Sequence, residues 1–468
     1  MDAPRGPSEA ALLARAGLPQ AEAAAWLAQA PALTGEFARD AAAFSRAWRC
    51  GEALLAMLPR KRARGATEAA AAASIHARAR RLRADFLAAH SVAAYCRLTD
   101  NLRRFVRVER LVGEAAALVP GLVPSETALA AEAPLPLAEK EGVEIDQGLF
   151  LAGVLADAEC GAHLCHAMLL PRAETAELLP RLRKEGALDL GAASVRRSGK
   201  AVVVELRHPR FLNAEDDTTL DALETAADLA ILDPEAEIAV LRGGPVEHPK
   251  YAGRRVFCAG INLTHLYHGK IPYIWYPKRE LGIVNKIYRG LATPGAVPDD
   301  ISGVTIEKPW IAAIEAFAIG GGCQYLLVMD RVIAERGAYM TLPARKEGII
   351  PGAANLRLPR FTGDRIARQA ILAERRLDCD SAEGRLLCDE IVPPGAMDAA
   401  IAGAVAALAG AGLVSAAGNR RAIRVGQEPL DLFRRYIAVY AREQAFCHFS
   451  PQLIANLERN WNAAARKM

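Results

Sequence analysis

The spacing of hydrophobic positions changes near residue 190. Before it, stretches such as Thr67–Val106 place apolar residues at helical intervals, with many Ala, Leu, Arg and Glu and few β-branched residues. That pattern predicts packed amphipathic helices. A proline-marked segment, Val119–Pro136, interrupts it and reads as a loop or linker. The apolar run Gly148–Leu170 reads as one resumed helix, and Gly186–Gly191 as a boundary. Beyond it, Ala201–Arg207 and Ile238–Arg242 are short β-branched runs separated by the amphipathic stretch Thr218–Leu232. Strands alternating with helices predict an α/β arrangement around a buried sheet, extended by Trp310–Glu315, Arg331–Glu335 and Ala338–Leu342. From Asp364 helices dominate again, ending in a long amphipathic run, Pro429–Lys467. No internal repeat is visible. The expectation is an all-helical domain over residues 1–190 followed by an α/β domain over residues 191–468.

Composition narrows the class. A chain of 468 residues is long for one domain, and 52% hydrophobic with 24% charged residues suits a well-cored protein. With 58 basic and 54 acidic residues the net charge is only +4, too balanced for the whole molecule to bind nucleic acid, though suited to a small anionic ligand. The first 20 residues contain Arg5 and Arg15 but no long apolar stretch, so no secretory signal is expected. No run of about 18 apolar residues predicts a membrane span. The nine cysteines are scattered without a CxxC pair, which points to reduced thiols and a cytoplasmic protein.

Two glycine-containing turns carry the candidate chemistry: Phe257-Cys-Ala-Gly-Ile-Asn-Leu263 and Ile319-Gly-Gly-Gly-Cys-Gln324, each after a strand. Glycine lets another group approach backbone N–H donors closely, and the second turn opens a helix, Cys323–Met329. Two such amides converging on one point form an oxyanion hole. Either turn alone is an ordinary strand-to-helix connection. Cys160, His163, Cys165 and His166 are zinc-binding residue types, but no second cluster completes a tetrahedral set, and helix packing is the simpler reading. The run Arg60-Lys-Arg-Ala-Arg64 could meet phosphates, yet a solvated loop accounts for it. Dinucleotide, P-loop, serine-hydrolase and zincin motifs do not occur.

Four segments in order carry a resemblance: HPRFLNA at 208–214, FCAGINL at 257–263, EKPWIAAIEAFAIGGGCQ at 307–324 and EGIIPGAANLRLPR at 347–360. Over about residues 195–468 the chain resembles the crotonase (enoyl-CoA hydratase/isomerase) superfamily. The resemblance implies a spiral of ββα units, assembly as a trimer or hexamer, and an acyl-coenzyme A substrate. It assigns the oxyanion donors to the amides of Ile261 and Gly321, and substrate contacts to Arg210, Tyr251, Ala259, Gly260, Asn262 and Leu263. A hydratase needs two carboxylates, and this chain has Gln324 and Ala344 at those positions. Neither can act as a base, so hydration is not expected. Glu347 lies three residues beyond Ala344 and carries little weight in this comparison.

With the long helical region, including GVEIDQGLFLAGVLADAECGAHLCHAMLLPR at 142–172, the replacements resemble the cofactor-independent (3,5-dihydroxyphenyl)acetyl-CoA 1,2-dioxygenase branch. That branch supplies the glyoxylate used to build dihydroxyphenylglycine for glycopeptide antibiotics. The resemblance implies catalytic roles for Glu215, Arg279 and Gln324, with Glu215 and Arg279 orienting ring hydroxyls, and a dry dioxygen pocket shaped by Ile349. It implies no metal and no organic cofactor, with dioxygen as co-substrate. It names no group to remove the first proton. The alternatives are another crotonase reaction, thioester hydrolysis or isomerisation, or a non-catalytic crotonase that binds acyl-CoA or RNA.

Overall fold

The computed structural model describes residues 8–410 and 412–466. Arg5 and Lys467, which entered the reading above, lie outside the described residues. Up to Glu185 the regular structure is helical. The longest element, Ala66–Leu98, starts where the Glu68 carboxylate accepts the Gly65 N–H at 2.7 Å, satisfying one of the amides a helix start leaves free. Its inner face buries Ile75, Phe86 and Tyr95.

Three local expectations change. The apolar run expected as one helix is two, Ile145–Ala156 and Ala158–Leu169, bent by 112°. The break falls at Asp157, whose carboxylate accepts the amides of Glu159 and Cys160 at 3.1 and 2.9 Å. A side chain that caps a new helix start competes with continuing the old one. Within Val119–Pro136, Ser125 caps a short helix, Glu126–Glu132, by accepting from the Ala128 amide. The basic run is only partly solvated. Arg64 makes two bonds to Glu141 and Lys61 donates to the Lys140 carbonyl at 2.6 Å, so these cations dock a neighbouring segment.

Among the described residues ten strands follow: β1 Ala187–Asp189, β2 Ala193–Ser198, β3 Ala201–Leu206, β4 Ile238–Gly243, β5 Trp310–Ile314, β6 Phe317–Ile319, β7 Arg331–Glu335, β8 Tyr339–Thr341, β9 Leu377–Asp378 and β10 Glu390–Val392. Seven form one sheet in the order β1-β2-β3-β4-β5-β7-β10, antiparallel up to β3 and parallel from there on. The other three form a small sheet, β6-β8-β9. The β-branched runs sit in β3 and β4, largely buried, as a covered parallel sheet requires. The sheet begins at Ala187, just ahead of the expected boundary at 190.

The helical and α/β regions share one hydrophobic core, which runs from Phe44 to Ala463. The terminal run resolves into Leu430–His448 and Pro451–Trp461, and the first of these lies along Ile145–Ala156. Buried Arg434 donates to the carbonyls of Leu155 and Ala156 at 2.7 and 2.8 Å, and Tyr273 donates its hydroxyl to the Ala441 carbonyl at 2.7 Å. The two Arg434 bonds satisfy the open C-terminal end of the helix Ile145–Ala156. Among the described residues no single helix is long and apolar enough to cross a membrane.

Candidate active site

The two glycine turns lie against each other between the sheets. Glu215 forms a one-residue parallel bridge with Ile261: its N–H donates to the Gly260 carbonyl at 2.7 Å and its carbonyl accepts from Asn262 at 2.8 Å. Backbone groups alternate in direction along an extended segment, so this clamp turns the Ile261 amide to the opposite side. The second turn is held by Gly320 donating to Thr341 at 2.9 Å and by Ile319 donating to Cys258 at 2.9 Å. Gly260 has φ +80, and a Cβ there would stand 2.8 Å from the Ile319 carbonyl and 3.1 Å from the Gly321 nitrogen. Only glycine permits both that backbone conformation and that approach. Among the described residues neither the Ile261 nor the Gly321 amide has a hydrogen-bond partner. Two free donors on adjoining turns can stabilise charge developing on a carbonyl oxygen.

Behind Gly321 lies a buried ionic network. Arg279 donates through Nε and Nη2 to Glu215 at 2.9–3.1 Å, through Nη1 to Glu280 at 2.8 Å and Gln324 at 2.6 Å, and through Nη2 to the Gly321 carbonyl at 2.9 Å. Tyr325 donates to Glu215 at 2.6 Å, and its ring lies 4.6 Å from the Arg279 guanidinium carbon. Burial alone would lower the Arg279 pKa, but Glu215, with Tyr325 and Glu280 beyond it, raises it well above the ordinary value. Burial and Glu215 together push the Tyr325 hydroxyl well above its usual range, so it stays a donor. All five N–H donors of Arg279 are therefore engaged by protein groups, and none is left over for a ring hydroxyl in this arrangement. The Gln324 amide nitrogen, by contrast, has no partner among the described residues.

The network presses directly on the second turn. A Cβ on Gly321 would stand 2.5 Å from Glu215 Oε2 and 3.1 Å from Arg279 Nη2. Gly321 is thus required by the packed ion pair behind it.

A cavity of about 530 Å³ opens in front of the first turn. Arg210, Ala259, Ile261, Asn262 and Leu263 line it. Asn262 is held by its own bonds, accepting from the His265 amide at 3.2 Å and donating to Asp216 at 2.9 Å. Arg210, His248, Lys346 and Arg466 bring basic side chains to the walls, and Trp461 from the last helix joins them. Tyr251 and Ile349 do not line this cavity: the Tyr251 ring packs 5.4 Å from Phe317, and Ile349 packs half-buried against the core. A larger space of about 940 Å³ lies among the N-terminal helices, lined by His76, Arg80, Arg442 and several alanines. Neither glycine turn reaches it, whereas the first turn lines the smaller cavity.

Glu280 and Tyr325, which complete the Arg279 network, carry no motif in the sequence, and Glu347 stands off the hydratase carboxylate position. That carboxyl lines the cavity and is only 6% exposed. Burial, and after it the Glu374 carboxylate, push its pKa up to about 7 against the opposing pull of Lys346. The visible signal is one acid directly ahead of an apolar turn, Gly348-Ile-Ile-Pro351. The cysteine–histidine group packs instead: His163 is bonded to the Tyr95 hydroxyl at 2.9 Å and stacked 4.6 Å from Phe105, and His166 faces the Thr293 carbonyl at 3.1 Å. Among the described residues no group of three or more His, Cys, Asp or Glu side chains is placed to hold a metal.

Residues 299–419 match the enoyl-CoA hydratase/isomerase family. A (3,5-dihydroxyphenyl)acetyl-CoA 1,2-dioxygenase of Amycolatopsis orientalis is 47% identical over 419 residues, covering 89% of this chain and 95% of its own length. The chain belongs to the crotonase superfamily and, within it, to the family of that dioxygenase. A short-chain-enoyl-CoA hydratase of Clostridium acetobutylicum is 29% identical over 209 residues, which is 44% of this chain and 71% of its own. Among solved structures, an enoyl-CoA hydratase of Mycobacterium avium subsp. paratuberculosis K-10 is similar with a TM-score of 0.48 at 20% identity, over 59% of this chain and 100% of its own.

Proposed function

We infer that the chain is a dioxygenase that converts (3,5-dihydroxyphenyl)acetyl-CoA and dioxygen to (3,5-dihydroxyphenyl)glyoxylate and free coenzyme A, without a metal or organic cofactor. The observation that carries the reading is the pair of unpartnered amides at Ile261 and Gly321, set on adjoining turns beside a cavity with basic walls. The 47% identity to the Amycolatopsis dioxygenase over nearly the whole chain supports the particular substrate.

The amides hold the thioester oxygen, which acidifies the neighbouring Cα–H and stabilises the enolate formed when that proton leaves. The enolate, conjugated with an electron-rich dihydroxyphenyl ring, passes one electron to dioxygen, and the two radicals join at Cα as a peroxide. The distal peroxide oxygen attacks the thioester carbonyl and expels the thiolate. Breaking the O–O bond with loss of the second Cα hydrogen as a proton leaves the keto acid. Water at the site would quench the carbanion, and the apolar side chains of Ile261 and Leu263 in the cavity wall oppose its entry.

Arg279 and Glu215 stiffen the second turn from behind, and the free Gln324 amide offers the ring a donor. Arg210, Lys346 and Arg466 suit the coenzyme A phosphates. The same reading carries a homo-oligomer, trimer or hexamer, supported by exposed apolar side chains at Ile301, Val304, Val414 and Ile423; light scattering after size exclusion tests it. Residence in the cytoplasm belongs to this reading too, with no nucleic-acid or membrane partner.

The test is incubation with (3,5-dihydroxyphenyl)acetyl-CoA under air and under nitrogen, following oxygen, free thiol and the keto acid. Thiol release that is equally fast without oxygen would make the chain a thioesterase and overturn the proposal.

A further inference from the structure

The proposed reaction needs a base for the first proton, and none of the groups in the Arg279 network is placed to serve. Glu215 is spent on Arg279 and Tyr325, and Glu280 on Arg279 and the Ala353 amide at 3.1 Å. Gln324 has no proton site near neutrality. Two carboxyls line the cavity in front of the Ile261 amide, Glu347 and Glu374. They differ in burial and in company. Glu374 is partly exposed and faces Lys346 at 3.6 Å. Glu347 is buried, and among the described residues its carboxyl has neither a hydrogen bond nor an ion pair.

We propose that Glu347 is the catalytic base that takes the Cα proton of the thioester held at Ile261 and Gly321. The inference rests on the acyl-CoA reading above. Glu347 closes a four-residue helical turn, Ala344–Glu347, whose end is fixed by Gly348 at φ +100. Residues three apart on a helix share a face, so Glu347 stands on the same face as buried Ala344, and of the two it is Glu347 that reaches the cavity wall. The carboxyl is withdrawn from bulk water yet borders the cavity. A buried, uncompensated carboxylate is a stronger base than a solvated one, and the rise of its pKa to about 7 follows from that placement.

In the step itself, Glu347 takes the proton and the C–H electron pair enters the enolate, whose oxygen the two amides hold. The carboxylic acid so formed later returns its proton to the departing thiolate. One proton therefore moves from Cα to sulfur by way of Glu347. The second Cα hydrogen is lost only as the O–O bond breaks, and dioxygen supplies both added oxygens.

The test separates proton removal from oxidation. Wild-type chain and the Glu347→Gln variant are incubated with (3,5-dihydroxyphenyl)acetyl-CoA in D₂O without oxygen, and deuterium at Cα is read by NMR. The same two proteins are then assayed for keto acid under air. General-base loss predicts that both rates fall about a hundredfold or more in the variant, with substrate binding held within a few-fold. Glu347→Asp should recover part of the exchange. Exchange or keto-acid formation within about threefold of wild type in Glu347→Gln overturns the assignment, and so does a variant that melts below wild type, which would make Glu347 structural. Cα exchange by the wild type without any keto acid under air would sink the dioxygenase reading while leaving the base in place. A wild type that does neither overturns both.

Discussion

Replacing Glu347 with glutamine should make the protein more stable above neutrality while disabling it. The Glu347 carboxyl sits in the cavity wall without a cation of its own, with Glu374 raising its pKa further, Lys346 opposing, and the Tyr276 hydroxyl near enough to feel its charge. Its pKa rises from the ordinary 4.5 to about 7. In the unfolded chain the carboxyl ionises near 4.5, whereas the folded chain keeps the proton up to about 7. Between those values the unfolded state binds fewer protons, so stability falls as pH rises. The contribution is fully present below the unfolded value and is gone above about pH 7. A shift of that size corresponds to roughly 3 kcal/mol, an upper bound for a group that borders a cavity. Glutamine has no charge to desolvate, so the variant should match wild type near pH 4.5 and melt several degrees higher at pH 8. The assay is thermal melting of both proteins at half-unit steps from pH 5 to 8. A stability difference that does not grow with pH, or a variant that melts lower at pH 8, would refute the reasoning. The wild-type rate should follow the opposite course, falling as the pH drops below about 7 and the base takes up its proton.

Arg279→Lys should both destabilise and slow the enzyme. Three donors replace five, leaving buried Glu280, Gln324 or the Gly321 carbonyl unmet at a cost of about 3–5 kcal/mol. Calorimetry beside kinetics checks it, and unchanged melting would show that the network tolerates the loss. Gly321→Ala should lower turnover by about 10²–10³, because the new methyl meets Glu215 Oε2 at 2.5 Å and pushes the turn out of place. Ile261→Ala keeps its N–H and should retain measurable keto-acid formation; loss as deep as in Gly321→Ala would mean that the side chain matters more than the amide. Exhaustive chelation, verified by metal analysis, should leave turnover unchanged, and activity restored by one specific metal would contradict that.

Much of this architecture is legible in the residues. The β-branched runs at Ala201–Arg207 and Ile238–Arg242 became paired parallel strands, and the two glycine turns marked where the free amides lie. Helix breaks were less legible. Periodicity cannot see that Asp157 prefers to cap a new helix, because the preference depends on where Glu159 and Cys160 present their amides. The network around Arg279 was half visible. Glu215, Arg279 and Gln324 follow from the resemblance, but although Glu280 and Tyr325 adjoin Arg279 and Gln324 in the chain, nothing in the order of residues shows that their side chains turn into the same network. Glu347 was set aside because its position did not match the hydratase carboxylate. Position along the chain said nothing about burial, and burial is what makes it reactive.

The shared core between the early helices and the last ones has a consequence for how the chain is made. The helix Ile145–Ala156 leaves the ribosome early, while its packing partner, Leu430–His448, follows roughly 270 residues later. At about 5–20 residues per second, that apolar face waits on the order of 15 to 55 seconds for its cover. During that interval the nascent helical region resembles an unfinished bundle, a natural client for a chaperone. The carbonyls of Leu155 and Ala156 have no Arg434 to receive until synthesis is nearly complete. Completion of the catalytic unit is therefore a late event in translation.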